Sequence, residues 1–307
     1  MPVTTWATGK KNPLILYPAL ASMPYNWSSE DVWAGVDWLA ETSTPARDST
    51  VAKFGTYSIK FTGGATQSAL DRFTYDTTIW GAVNAGPYSC YCWVYPTAYT
   101  SNATVRLSLS LTKAAGVALT TPSDTTADYL VSGLTLNAWN LIRVVAAELT
   151  AAQQAEFVSV DYRVQLLPGV GTATFYADGM HFGYALDGQD IGINNDGAWA
   201  VTPYNPRKTY NKVSDRIANG ITDGKAFNDG FHKGRFNWNN LREADREAYR
   251  KFIDYGADKS TFTMLTDQST TDRDYYGECV LISNNYGEKQ IDGHPGWTAG
   301  FDFEEVL

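Results

Sequence analysis

Long apolar runs are missing from this chain. No stretch of about 18 consecutive apolar residues occurs, which excludes a membrane-spanning helix. The opening Met1-Pro-Val-Thr-Thr-Trp6 lacks a basic segment leading into an apolar one, and Lys10-Lys11 precedes only the short Leu14-Ile15-Leu16-Tyr17, so no secretory signal is expected. Cysteine is scarce: 3 residues, an odd number, make no disulfide framework, and buried free thiols are expected. Basic residues are outnumbered, 24 Lys and Arg against 33 Asp and Glu, for a formal net charge of −9. With no Lys/Arg stripe to offset that charge, nucleic acid is not an expected partner.

Catalytic patterns are missing as well. His181, His232 and His294 are isolated, and no His-Glu-x-x-His or Cys-x-x-Cys spacing suits zinc. Neither a Gly-x-Ser-x-Gly elbow nor a Walker loop occurs, and Gly169-Val-Gly171 lacks the third glycine of a dinucleotide fingerprint. Glu30-Asp31 and Glu304-Glu305 are sequence neighbours and point apart in a strand, whereas a glycosidase pair faces across a cleft at about 5 to 9.5 Å. A non-enzymatic protein is expected.

What is present is a core and a β pattern. The 307 residues are 44% hydrophobic and 14% aromatic, enough for a folded protein of two domains at about 150 residues each. Between 51 and 184, short β-branched and aromatic runs alternate with turn residues, and no long helix is expected. Val105, Leu107, Leu109 and Leu111 alternate with Arg106, Ser108, Ser110 and Thr112; Val158, Val160, Tyr162, Val164 and Leu166 repeat the half-buried-strand period. Spaced short strands of this kind indicate a β-sandwich or jelly roll.

A polar stretch through Asp187-Gly188, Asn194-Asn195-Asp196-Gly197 and Pro203 to Pro206 marks a boundary. Beyond it, strands are expected at Tyr210 to Ile217 and Phe227 to Trp238, around Asn219-Gly220 and Asp223-Gly224. One helix follows, with Asn240 as N-cap, Glu243 three residues on, Leu241, Ala244, Ala248, Tyr249, Phe252 and Ile253 on its apolar face, and Gly256 after its end. Strands return at Thr261 to Leu265, Glu278 to Ser283 and Ala299 to Val306. The expected fold is mainly β: an N-terminal β-sandwich over 1–186, then a smaller α+β domain over 187–307 with one helix. Residues 1–50, with Trp27, Trp33 and Trp38, are either core or an arm.

Local patterns in order, Gly55-Thr-Tyr-Ser-Ile-Lys-Phe-Thr62, Tyr88-Ser-Cys-Tyr-Cys-Trp-Val-Tyr95, Leu136-Asn-Ala-Trp139 and Tyr176-Ala-Asp178, resemble the successive strands of jelly-roll carbohydrate-binding modules. The resemblance implies a structural calcium at Asp178, although Gly179 stands where a second Asp is common; no other cofactor is implied. The strand run through Gly224, Phe236-Asn-Trp238-Asn-Asn-Leu-Arg242, and the closing Gly296-Trp-Thr-Ala-Gly-Phe-Asp-Phe-Glu-Glu-Val-Leu307 are similar to the tail-hub domains of distal-tail and minor tail proteins of long-tailed bacteriophages. That second resemblance implies a small tail-hub-like β-barrel in a ring-like homo-oligomer. Its expected setting is a virion tail assembled in the host cytoplasm, contacting other tail proteins and host-surface polysaccharide. The alternative is a carbohydrate-binding accessory module or carbohydrate-active enzyme outside any virion.

A saccharide site needs flat aromatic faces for the C–H side of a pyranose and polar groups for its hydroxyls. Tyr91, Trp93 and Tyr95 share one face of a strand, opposite the small and apolar Cys90, Cys92 and Val94. On another strand Asp161, Arg163 and Gln165 face away from the apolar set. If both outward faces belong to one sheet, guanidinium, carboxylate and amide sit among aromatics and Trp93 is exposed. The other reading places Trp93 and its neighbours in the core or at a subunit contact. The helix face Arg242, Glu243, Asp245, Arg246, Glu247, Arg250 and Lys251 is either solvated, with local ion pairs, or a ring contact.

Overall fold

The computed structural model describes residues 10–11, 14–19, 38–42, 45–64, 66–74, 88–100, 102–114, 117–120, 124–145, 149–167, 171–187, 200–201, 207–209, 212–216, 222–226, 231–241, 243–257, 261–265, 275–281, 288–290 and 297–306. Trp27, Trp33, Glu30-Asp31 and His294 lie outside the described residues. The chain divides into two compact units, Leu20–Tyr184 and a second that joins Met1–Ala19 to Ala185–Leu307. The sequence reading places the boundary at 186/187 and keeps residues 1–186 together. In the structure Leu14–Tyr17 instead pairs antiparallel with Phe262–Leu265, Leu16 opposite Thr263, and this ties the N-terminal segment to the C-terminal unit.

Leu20–Tyr184 is a sandwich of two antiparallel sheets. One orders Thr125–Leu130, Thr104–Ala114, Ser159–Leu167, Gln67–Thr74 and Trp38–Thr42, so Trp38 begins a strand at the sheet's end. The other orders Asn140–Val145, Ser89–Tyr99, the Ala173–Gly183 part of strand Ala173–Asp187, Ser58–Gly63 and Ala46–Asp48. The period of two decides which side chains enter the core. Val105, Leu107, Leu109 and Leu111 are buried from one strand, Val160, Tyr162, Val164 and Leu166 from its neighbour. Each such burial is worth about 1.5 to 3 kcal/mol. In the other sheet Phe61 and Phe175 stack at 4.6 Å between centroids, with Ile59, Val94, Cys92 and Cys90 on the same side. All three cysteines are buried and none forms a disulfide, and burial raises the Cys92 and Cys279 thiols well above the ordinary range. A short helix the sequence reading did not anticipate, Ala151–Glu156, is started by a capping box between Thr150 and Gln153.

The second unit has one open antiparallel sheet in the order Lys10–Lys11, Ala200–Val201, Phe231–Leu241, Trp297–Glu305, Tyr275–Leu281, Phe262–Leu265, Leu14–Tyr17. Lys212–Arg216 and Thr222–Ala226 form a separate hairpin, so Asp223-Gly224 lies in a strand rather than in the expected turn. The expected barrel is not formed: among the described residues the sheet does not close.

The helix runs Glu243–Ala257. The expected cap Asn240 belongs instead to strand Phe231–Leu241, held by pairing of Leu241 with Trp297, and Gly256 lies within the helix. Phe252 makes edge contacts with Phe262 and Phe301, and the Tyr249 hydroxyl donates to the Gly300 carbonyl at 2.5 Å. Of the two readings of the charged helix face, the structure gives Arg246 and Arg250 intramolecular partners. Both bond Glu288, Arg246 also bonds Glu243, and its guanidinium lies 3.5 Å over the Trp297 ring. Glu247 and Lys251 stay solvated, a loose pair at 3.7 Å.

Candidate functional site

The six side chains proposed as one platform are divided between the two sheets of the sandwich. Tyr91, Trp93 and Tyr95 lie on Ser89–Tyr99, in the sheet with Ala173–Asp187 and Ser58–Gly63. Asp161, Arg163 and Gln165 lie on Ser159–Leu167, in the sheet with Thr104–Ala114 and Gln67–Thr74. The condition that joined them, one shared sheet, does not hold.

The expected exposure of Trp93 does not hold either. Trp93 is 0% exposed and Tyr91 1%, so both flanks of the strand are covered at this point. The cover is a loop that alternation cannot reveal: Phe54 stands edge-on to Trp93, centroids 5.4 Å apart. Asp178 holds the loop in place. Its Oδ2 accepts the backbone N–H of Lys53 at 2.7 Å and of Phe54 at 2.9 Å, and its Oδ1 accepts that of Gly179 at 2.7 Å. A bulge opposes Gly179 and Met180 to Cys92, with Gly179 at φ 61°. A calcium ion takes about six to eight oxygens. Asp178 is fully buried with both oxygens directed to amides, and no group of three His, Cys, Asp or Glu suited to a metal occurs among the described residues. Asp178 therefore fits a loop clamp and not the implied calcium site. Nor does His181 offer a ligand cluster; it is buried against Tyr91.

Beyond the Phe54 loop, the same sheet face carries a row of aromatics across neighbouring strands. Tyr176 stands opposite Tyr95 on one side and Lys60 on the other. Trp139, just before strand Asn140–Val145, adds its ring 5.3 Å from Tyr95, and Tyr95 lies 6.4 Å from Tyr176. Lys60 Nζ sits 5.4 Å over the Tyr176 ring and 3.2 Å from Asp48 Oδ2. Asp48 chiefly, then Tyr176, raises the Lys60 ammonium and keeps it charged. Tyr95, Trp139 and Lys60 are half-buried, with part of each surface in solvent, whereas Tyr176 is 4% exposed and lies beneath Lys60. Of this row only Tyr95 was proposed. Trp139 and Tyr176 are visible in the sequence as strand markers, but the row exists only once register sets them side by side.

On the other sheet's outer face, Asp161, Arg163 and Gln165 do come together. They line a groove of about 270 Å³ with Ser108 of the adjacent strand Thr104–Ala114, Thr126 of the strand beyond it, and Leu70 beneath. Register explains the set: Arg163 stands opposite Ser108 on one side and Leu70 on the other, and Ser108 opposite Thr126. At one end Arg106 bonds Asp128 through two nitrogens at 2.6 and 2.7 Å. At the other the Ser110 hydroxyl donates to Asp124. The outward set Arg106, Ser108 and Ser110 is legible from alternation; joining it to Arg163 required knowing that the two strands are neighbours.

No family model matches the chain, and no curated protein does. Solved structures that resemble it include carbohydrate-binding modules. One, described as a module from the β-sandwich superfamily with promiscuous specificity, matches at TM-score 0.36 and 11% identity over 51% of this chain and 60% of that one. A non-crystalline cellulose-specific module matches at 0.34 and 11% identity over 50% of this chain and 95% of that one. The xylan-binding domain of Paenibacillus barcinonensis Xyn10C matches at 0.34 and 11% identity over 58% and 96%.

Proposed function

We propose that this chain is a non-catalytic saccharide-binding protein that holds a glycan chain along the row Trp139, Tyr95 and Lys60, with the buried Tyr176 ring packed behind Tyr95 and Lys60. The row is the observation that carries the reading. Neighbouring strands are about 4.8 Å apart, close to the length of one pyranose unit, so the partly exposed Trp139 and Tyr95, side by side across two segments, meet successive rings. Aromatic faces take the C–H side of a sugar, while the Lys60 ammonium and the Asp48 carboxylate beside it serve its hydroxyls. Isothermal titration with oligosaccharides selected on a glycan array tests this. Trp139→Ala and Tyr95→Ala should each weaken binding at least tenfold, about 1.4 kcal/mol. Unchanged affinity in both folded variants overturns it.

The tail-assembly role rests on the resemblance of the C-terminal segment alone and is a separate proposal: a ring of copies on a virion tail. The mass of the intact chain in solution tests it, and a monomer at micromolar concentration refutes it. Charged substitutions at Phe301 or Phe303 do not test it, because both side chains are buried in the core and their loss unfolds the unit.

A further inference from the structure

We infer that the groove over Leu70 on the outer face of the other sheet is a second ligand site, which takes one neutral pyranose edge-on through hydrogen bonds. It is independent of the aromatic row, since the two lie on different sheets.

The lining decides the chemistry. Among the described residues no aromatic side chain lines the groove, so stacking contributes nothing, and its apolar floor is Leu70, 4% exposed, and the fully buried Leu109. Charges of both signs are interleaved. Arg163 and Asp161 are two residues apart on one strand and share its outer face. Arg106 is compensated by Asp128, and Asp124 accepts from Ser110. Among the described residues such a lining has no excess positive charge to draw an anion, on a protein of net charge −9. It is suited to groups that both donate and accept. The side chains of Ser108, Thr126 and Gln165 have no hydrogen bond to protein among the described residues. Each offers donor and acceptor atoms to the cavity, while Arg163 supplies donors and Asp161 acceptors for adjacent hydroxyls. A volume of about 270 Å³ admits one sugar ring and not a chain.

The test is saturation-transfer NMR with the methyl glycosides of glucose, galactose and xylose, and with glucuronate as the charged counterpart. The protein is the full chain carrying Trp139→Ala, which weakens the aromatic row, so that loss of signal in the groove variants reports on the groove. At least one methyl glycoside should give a signal in the millimolar range, lost when Ser108→Trp fills the groove and weakened at least fivefold by Gln165→Ala, a change without bulk. Glucuronate should bind at least tenfold more weakly. The inference fails if no glycoside binds a Trp139→Ala chain with wild-type melting temperature. It also fails if binding survives both groove variants, or if glucuronate binds as tightly as the neutral sugars. In the otherwise unmodified chain, Ser108→Trp should leave oligosaccharide binding at the row intact; a row that fails while the groove binds refutes the stacking reading alone.

Discussion

Phe54 stands edge-on to Trp93, ring centroids 5.4 Å apart and planes at 88°. This contact turns an aromatic that alternation places on an outward face into a core residue. It depends on Gly179, where an added Cβ would lie 2.3 Å from Phe54 Cε2 and 2.9 Å from Trp93 Cε3.

Gly179→Ala should therefore destabilise the sandwich by about 2 to 4 kcal/mol, through overlap with two rings and a left-handed backbone at φ 61°. Urea unfolding measures this. A loss under about 0.5 kcal/mol, the range of an ordinary surface change, refutes the packing account.

Asp178→Ala leaves the N–H groups of Lys53, Phe54 and Gly179 without their carboxylate, at about 1 to 3 kcal/mol for each that stays buried. The variant should melt well below wild type and should expose Trp93 to quenching by acrylamide. A melting temperature of the wild-type protein that rises with calcium and falls with chelator, and no longer responds in Asp178→Ala, would restore the metal reading.

Glu288 gives a pH signature. Burial raises its carboxyl, but hydrogen bonds from Arg250 and Arg246 outweigh burial, and the net shift is downward. A depressed carboxylate contributes stability that is present above its unfolded pKa, about 4.3, and is lost as pH falls through the folded value. The stability difference between wild type and Glu288→Gln should be constant from neutral pH to about 5 and shrink below it, with high salt reducing it throughout. A difference independent of pH down to 2 removes the ion pair as its cause.

Tyr249→Phe removes the hydroxyl that donates to the Gly300 carbonyl inside the second unit. The expected cost is about 1 kcal/mol, with saccharide binding by the sandwich unchanged. A binding defect in this variant would contradict the placement of the aromatic row in the other unit.

Alternation made much of the sandwich legible without coordinates. Val105 to Leu111 and Val160 to Leu166 enter the core, and Arg106, Ser108, Asp161, Arg163 and Gln165 leave it, because a strand's period of two is a local property of the backbone. The helix was legible for the same kind of reason, Tyr249 and Phe252 recurring on one side. Its start was not: the pairing of Leu241 with Trp297 competes with an Asn cap and prevails.

The amino-acid order by itself determined which residues point away from each other along a strand, where charge is balanced, and which catalytic patterns are missing. Tertiary structure alone decided which strands are neighbours, and hence that Tyr95 meets Tyr176 and Trp139 while Arg163 meets Ser108. It also decided what covers a face. Trp93 and Tyr95 follow one alternation, yet Phe54 lies over Trp93 while Tyr95 keeps surface in solvent. The physical reason is range: side-chain direction follows from the dihedrals of adjacent residues, whereas sheet order and coverage follow from contacts between segments far apart in the chain, such as the clamp of Asp178 on Lys53 and Phe54.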